Sequence, residues 1–221
     1  MAIFLVRHTA PDIKPGVIYA ASNVPVHEAE FMRVMPLIDA ALPQEALIVT
    51  SHLSRCRRLA DFLSMRGTGR IVVVDPRLTE RDLGRWTGKL WEQIPRDEAK
   101  EFDGNFLDHW PPPVETENGP VLRGLNVYPR LGAGESVRAM QTRVIEGFEA
   151  AWEIAEGRNL VIISHAGPIA AMIAYWQGEI LRRGIDPSPG CGDVVQLANV
   201  DGQQRAFIAR RATAVAETNS F

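Results

Sequence analysis

Cysteine is scarce in this sequence of 221 residues. Its two cysteines, Cys56 and Cys191, cannot supply a disulfide framework or a zinc knuckle. The histidines His27 and His109 have no cysteine or carboxylate at the spacing of metal ligands. We therefore expect neither a metal ion nor any other cofactor.

Long apolar runs are missing as well, since none approaches the roughly 18 residues that a membrane span requires. The chain begins with a short apolar run that stops at Arg7 and lacks the basic region and cleavage site of a signal peptide. The sequence therefore predicts a soluble, cytoplasmic protein with no membrane partner.

An excess of positive charge is also absent, because 24 Lys and Arg face 27 Asp and Glu for a net charge of −3. A protein held on nucleic acid by its overall field is basic, so we expect no nucleic-acid partner. Hydrophobic residues make up 46% of the chain and charged residues 23%, which suits a buried core. The length favours a single domain over residues 1–221.

The apolar pattern predicts alternating strands and helices. Short buried strands are expected at Ala2–Val6, Ala46–Thr50, Ile71–Val74, Leu160–Ile163, Val194–Val200 and Ala206–Ala209. The last two flank Asp201-Gly202, a hairpin signal. Helical stripes are expected at Glu28–Leu42 with an interruption at Pro36, through Leu59–Leu63, at Ser136–Ala155 with Trp152 in the core, and from Pro168 to about Leu181. This alternation indicates a three-layer α/β/α sandwich around a mixed, mostly parallel sheet.

One segment breaks the pattern: residues 95–134 hold six prolines and five glycines, with a weak helix expected at Arg96–Phe102. A loop of that length inside a compact domain is usually a lid or a binding excursion.

Charged and polar side chains follow the ends of four predicted strands. Arg7 and His8 end the first, Arg55 follows the second, Glu80 follows the third and His165 follows the fourth. Each alone has a plain alternative. His8 could be a half-buried polar residue and Arg55 a surface charge, Glu80 could form an exposed ion pair, and the turn at His165 could simply start a helix. Because the carboxyl ends of parallel strands meet at one edge of a sheet, we expect all of them to converge.

This combination of groups suits phosphoryl transfer. Guanidinium groups such as those of Arg7 and Arg55 bind a phosphate dianion in bidentate fashion, and a helix N-terminus after His165 adds backbone N–H donors. A neutral imidazole attacks phosphorus to give phosphohistidine, and a carboxylic acid protonates the leaving alkoxide. No step of this chemistry needs a metal.

The chain resembles the histidine phosphatase superfamily, also called phosphoglycerate-mutase-like. The resemblance rests, in order, on Leu5-Val6-Arg7-His8-Thr9, Ser54-Arg55-Cys56, Glu80 and Ser164-His165-Ala166-Gly167. It implies that His8 is the phosphorylated nucleophile, that Arg7, Arg55 and His165 bind the phosphoryl group, and that Glu80 is the proton donor. It further implies substrate or phosphate contacts from Ala166 and Asn23. Members of the family often form homodimers, so a homodimer is one expectation.

Within that superfamily the chain is most similar to the α-ribazole phosphatase group, which acts in assembling the nucleotide loop of cobalamin. The similarity lies in Arg7–Asp12 with Pro15–Tyr19, in Gly84-Arg85-Trp86, and in Gly134-Glu135-Ser136. Departures fall on the substrate side, with Ala20, Asn23 and His52 where glycine, aspartate and proline are usual.

The expected partner is a small phosphate ester, and α-ribazole 5′-phosphate or a similar ester is the most specific candidate. A broad-specificity phosphatase, a phosphoglycerate mutase and a non-catalytic phosphate-binding protein stay open as alternatives. The mutases carry Arg-His-Gly-Glu where this chain has Arg7-His8-Thr9-Ala10, which counts against mutase action. A pure binder has no use for an acid such as Glu80.

Overall fold

A computed structural model describes residues 1–117, 119–120, 132–182, 184 and 186–212 of the chain. Its main feature is a six-stranded sheet in the order β3-β2-β6-β1-β7-β8. The strands are β1 (Ile3–Arg7), β2 (Glu45–Thr50), β3 (Gly69–Val74), β6 (Leu160–Ser164), β7 (Val194–Val200) and β8 (Gln203–Arg210). The first four in spatial order run parallel, and β7 and β8 are antiparallel to their neighbours. The expected mixed, mostly parallel sheet is confirmed.

Helices cover both faces of this sheet. They are α1 (Glu28–Ala41), α2 (Ser54–Arg66), α3 (Arg96–Gly104), α4 (Val137–Ala155) and α5 (Ala166–Gln177). One apolar cluster joins the sheet to α4 and α5, and a second joins its opposite face to α1 and α2. The three-layer architecture predicted from the sequence is therefore confirmed. None of the helices in the described part of the chain has the length and apolar character to cross a bilayer.

The central strand β1 shows why the sequence reads as a continuous apolar run. Ile3 and Leu5 point to the α4–α5 side, while Phe4 and Val6 point to the α1–α2 side, and all four are buried. Successive side chains of a strand face opposite sides, so a strand covered on both faces must be apolar throughout. The chain turns polar at Arg7, where the strand leaves the core.

Two local expectations were wrong, the first only in part. Of the two outcomes expected at Pro36, a kink or the start of a second helix, the second is wrong: α1 continues through Pro36 as one helix, because a single proline removes one hydrogen bond while the apolar face on either side stays packed. The expectation of a core position for Trp152 is wrong: the side chain is 39% exposed, although its ring contacts Phe148 and Trp176. The predicted hairpin is confirmed, with Asp201 and Gly202 both at positive φ as a tight two-residue turn requires.

The proline- and glycine-rich segment contains α3 and a short ribbon of β4 (Glu115–Thr116) and β5 (Gly119–Pro120). Residues 118 and 121–131 of it lie outside the described part of the chain. Between β3 and α3 the chain forms three short 3-10 turns, at Pro76–Leu78, Gly84–Trp86 and Trp91–Gln93. Glu80 lies between the first and second of these.

Candidate active site

His8 and His165 are brought together by the pairing of two parallel strands. Arg7 of β1 lies opposite Ser164 of β6, and the His8 N–H donates to the Ser164 carbonyl at 3.1 Å. The next residue in each strand is a histidine, and the two imidazole centroids are 5.1 Å apart at 60°. The convergence expected at the carboxyl edge of the sheet is therefore present.

The environment of His8 keeps its imidazole neutral and fixes its tautomer. The side chain is 1% exposed, and Nδ1 donates a hydrogen bond to the Thr9 carbonyl at 2.7 Å. Nδ1 therefore carries the proton, and Nε2 presents a lone pair. Burial, followed by the positive charges of Arg55 and Arg7, holds the pKa of His8 well below its usual value. A neutral imidazole with an available Nε2 is the form that acts as a nucleophile.

Arg55 connects the second histidine to the loop before α1. Its Nε donates to His165 Nδ1 at 3.2 Å, and its terminal nitrogens donate to the carbonyls of Ser22 at 2.6 Å and Ala20 at 2.9 Å. Three of the five guanidinium N–H groups are used in this way. The surface alternative for Arg55 is wrong, because the side chain is fully buried.

His165 is neutral as well and has both ring nitrogens engaged by protein groups. Arginine only donates, so Nδ1 accepts from Arg55, and Nε2 carries the proton that is shared with Ser51 Oγ at 2.9 Å. Burial and the charge of Arg55 lower its pKa well below the usual value. In this arrangement His165 orients Arg55, whereas the sequence resemblance implies direct contact with the phosphoryl group.

Glu80 faces the N-terminus of α5. Its Oε1 accepts from the Arg81 N–H at 2.9 Å, and its Oε2 lies 3.5 Å from the Gly167 nitrogen. A Cβ on Gly167 would lie 2.6 Å from Oε1, so this close approach requires glycine. Ala166 and Gly167 line the same cavity as Glu80, at the N-terminus of α5, where backbone N–H groups and the helix dipole favour an anion.

Sequence reasoning missed the residue that holds Glu80 in place. Arg143 of α4 is buried and donates to the carbonyls of Arg77 at 2.7 Å, Thr79 at 2.6 Å and Glu80 at 3.3 Å. Both carboxylate oxygens of Glu135 accept from Arg143, at 2.7 and 2.6 Å. The only sequence signal was an arginine on the apolar stripe of a helix just after Gly134-Glu135-Ser136.

Two of the other candidate positions have structural contacts. Asn23 is exposed, and its side-chain oxygen accepts from the Ser54 N–H at 2.8 Å, where α2 begins. His52 is exposed, and its Nδ1 forms a hydrogen bond with Thr79 Oγ1 at 2.8 Å. Neither residue is among those that line the cavity. Cys56 lies against His165, and burial raises the pKa of its thiol to about 12, so it stays protonated.

A cavity of about 420 Å³ opens beside these groups. Arg7, Tyr19 and Glu80 line its polar end, where the Tyr19 ring contacts His8. His8, Arg55 and His165 are buried and are not among the residues that line the cavity. The remaining wall is largely apolar and includes Ile18, Trp86, Trp91, Phe102, Phe106, Met140 and Leu181. Helix α3 supplies part of that wall, so the proline- and glycine-rich segment contributes to the cavity directly. Among the described residues, no group of three or more His, Cys, Asp or Glu is arranged to hold a metal ion.

Comparison with known families decides what this fold and site belong to. The profile of the histidine phosphatase superfamily (branch 1) matches residues 3–203. The chain belongs to this superfamily. The resemblance drawn from the strand-end residues is thereby confirmed, and members of this superfamily are generally phosphatases or mutases.

Solved histidine phosphatase-like structures share the fold over nearly the whole chain. YhfR of Bacillus stearothermophilus is 19% identical with a TM-score of 0.70, covering 94% of this chain and 95% of its own. An Escherichia coli K-12 protein provisionally assigned as an α-ribazole-5′-P phosphatase is 18% identical with a TM-score of 0.70, covering 94% of each chain. A phosphoglycerate mutase of Thermus thermophilus is 24% identical with a TM-score of 0.64, covering 94% of this chain and 96% of its own. A comparison with curated protein sequences gave no significant match.

Proposed function

We propose that this protein is a metal-independent phosphomonoesterase that works through a phosphohistidine at His8. The observation that carries the proposal is the state of His8: a buried imidazole with its proton on Nδ1 and its pKa lowered by burial and by the charges of Arg55 and Arg7. Glu80, which lines the cavity beside Arg7, is the carboxyl group placed to serve the leaving oxygen.

In the first step the Nε2 lone pair of His8 attacks phosphorus in line with the ester oxygen. The N–P bond forms as the P–O bond breaks, and the Glu80 carboxylic acid gives its proton to the departing oxygen. Arg7 and Arg55 stabilise the charge on the equatorial oxygens. His165 holds the Arg55 guanidinium in its orientation, because its Nδ1 accepts the hydrogen bond from Arg55 Nε.

In the second step a water molecule replaces the alcohol. The Glu80 carboxylate takes a proton from this water, whose oxygen attacks phosphorus while the N–P bond breaks. Inorganic phosphate leaves, His8 returns to its neutral form and Glu80 is again protonated. The step is the first one reversed, with water in place of the alcohol, so the same groups serve both.

The cavity wall favours an ester whose alcohol is bulky and largely apolar. Aromatic and aliphatic side chains surround the space beyond the polar end, and such a wall gains free energy by burying an apolar group. A nucleotide-like ester with an aromatic base, such as α-ribazole 5′-phosphate, suits this wall better than a small carboxylated ester does. Phosphoglycerate mutase action is therefore the second candidate, and likeness to the mutase fold is its support.

The test is phosphate release in the presence of EDTA over α-ribazole 5′-phosphate, nucleoside monophosphates, sugar phosphates and 3-phosphoglycerate. We expect the largest kcat/KM for the ribazole ester, no loss with EDTA, and an acid-labile phosphoenzyme in quenched reactions. His8→Ala should abolish turnover and the phosphoenzyme, while His27→Ala, at an exposed position outside the cavity, should leave both intact.

Unchanged turnover in His8→Ala would exclude the phosphohistidine route. Exchange of phosphate between glycerate positions, faster than its release, would favour the mutase. Tight phosphate binding without release from any ester would favour a binding protein.

A further inference from the structure

Tyr19 lies at the meeting point of three residues of the candidate site. Its ring lies edge-on to His8, with centroids 6.4 Å apart at 72°. The Arg55 guanidinium carbon is over the same ring, 5.2 Å from its centroid. The Arg7 guanidinium lies near the Tyr19 hydroxyl, and both residues line the polar end of the cavity.

The nearby Arg7 guanidinium limits what the Tyr19 hydroxyl can do. A guanidinium has no acceptor, so the Tyr19 hydrogen cannot be donated to Arg7. Burial is the main reason that the pKa of Tyr19 rises to about 12, so the phenol keeps that hydrogen at neutral pH.

The loop around Tyr19 is fixed on both sides. The Ile18 N–H donates to the Lys89 carbonyl at 2.8 Å, and the Ile18 carbonyl accepts from the Gly88 N–H at 2.7 Å. On the other side, the Ala20 carbonyl accepts from Arg55, although Ala20 adopts a φ of 43° that non-glycine residues rarely take. The ring is therefore held in place before substrate arrives.

We propose that Tyr19 is a phosphoryl-binding residue, whose hydroxyl donates to a non-bridging oxygen of the transferred group while its ring holds His8 and Arg55 in place. This inference rests on the proposed phosphoryl chemistry at His8. An oxygen bound by Tyr19 and Arg7 together is held by two adjacent donors on one side of the phosphorus. A hydrogen bond of this kind strengthens as charge builds on the equatorial oxygens in the transition state.

The variant Tyr19→Phe removes the hydroxyl and keeps the ring, so the loop stays packed. The matched control is Tyr175→Phe, because Tyr175 is exposed on α5 and its hydroxyl bonds Glu149, outside the cavity. For each protein we would measure the Kd of inorganic phosphate by calorimetry, the Ki of orthovanadate, and kcat/KM for 4-nitrophenyl and phenyl phosphate.

We expect Tyr19→Phe to weaken orthovanadate by roughly tenfold or more and inorganic phosphate by less, because vanadate mimics the five-coordinate state. The kcat/KM should fall by a similar factor for both esters, and Tyr175→Phe should match the wild type. If Tyr19 had only a structural role, Tyr19→Phe would weaken the binding of orthovanadate and of inorganic phosphate by the same factor.

Equal vanadate affinity in Tyr19→Phe and wild type would overturn the inference. A loss confined to phenyl phosphate would also overturn it, because the hydroxyl would then be serving Glu80 and the leaving group. Should the wild type turn over neither ester, the proposed function fails, and the anion affinities still decide the role of Tyr19. Weaker anion binding in Tyr19→Phe would support that role, and equal binding or no binding would overturn it.

Discussion

Replacing Gly167 by alanine tests the position of Glu80 with a single methyl group. A Cβ at Gly167 would lie 2.6 Å from Glu80 Oε1 and 3.1 Å from Met140 Sδ. A relaxed carbon–oxygen contact needs at least about 3.3 Å, so the carboxylate must move back by about 0.7 Å. The protein can make that change cheaply, because both atoms belong to side chains that bend.

The displacement should cost activity and leave stability nearly unchanged. A misplacement of about 1 Å in a reacting group lowers rates by about a hundredfold, so we expect a loss of roughly ten- to a hundredfold in kcat/KM for phenyl phosphate. For 4-nitrophenyl phosphate, whose leaving group needs little protonation, the loss should be much smaller. The free energy of unfolding should stay level or rise by up to about 1 kcal/mol, since alanine favours the helix.

The assay compares kcat/KM for both esters with urea denaturation of the same preparations. Gly104→Ala is the control: it makes the same change at the end of α3, where no heavy atom lies within 4 Å of the new Cβ. A folded Gly167→Ala with wild-type activity on phenyl phosphate would refute the reasoning. Equal losses on the two esters would also refute it, because proton donation would then not be what the methyl group disturbs.

Three further predictions concern the same site. Glu80→Gln should slow phenyl phosphate more than 4-nitrophenyl phosphate, and equal slowing of the two would remove Glu80 as the acid. The pKa values of His8 and His165 are lowered in the folded chain, so below about pH 6.5 the unfolded chain binds more protons than the folded chain. The free energy of unfolding should therefore fall as the pH falls, by up to about 1.4 kcal/mol per pH unit for each histidine. Urea denaturation at several pH values should show this slope, and a His8→Gln, His165→Gln double variant with the same slope would contradict it. Arg143→Met should lower the free energy of unfolding by about 3–5 kcal/mol in urea denaturation, because it leaves the buried carboxylate of Glu135 without its cation. Arg138→Met breaks an exposed ion pair and should hardly change the free energy of unfolding. Similar effects of the two substitutions would contradict the role of burial.

The order of the polar residues along the chain was enough to predict the chemistry. Arg7 and His8 end one apolar run, and His165 ends another, so both histidines were expected at the carboxyl ends of buried strands. Local pattern also predicted the hairpin at Asp201-Gly202, because few residues other than glycine and asparagine or aspartate tolerate positive φ there. These features depend on residues close together in the sequence.

Contacts between distant segments are what the sequence left open. The same pattern that indicates a catalytic acid at Glu80 says nothing of Arg143, which holds the Glu80 segment from another helix. The hydrogen bond that Asn23 accepts from the first turn of α2 is another contact that no local pattern indicates. Tyr19 was visible only as one letter of a loop motif until its ring was placed against His8 and Arg55.

The sequence by itself therefore determined the alternation of strands and helices and the types of group at the strand ends, because hydrophobic periodicity is a local property of the chain. The tertiary structure decided which strands are neighbours, which tautomer His165 holds, and which side chains line the cavity. Those outcomes depend on packing β6 beside β1 and α3 against the cavity, and on hydrogen bonds between distant residues, such as that of Arg55 with His165. The neutral state of His8 results from its burial, which no local pattern encodes, whereas its Nδ1 proton is fixed by a local hydrogen bond to the Thr9 carbonyl.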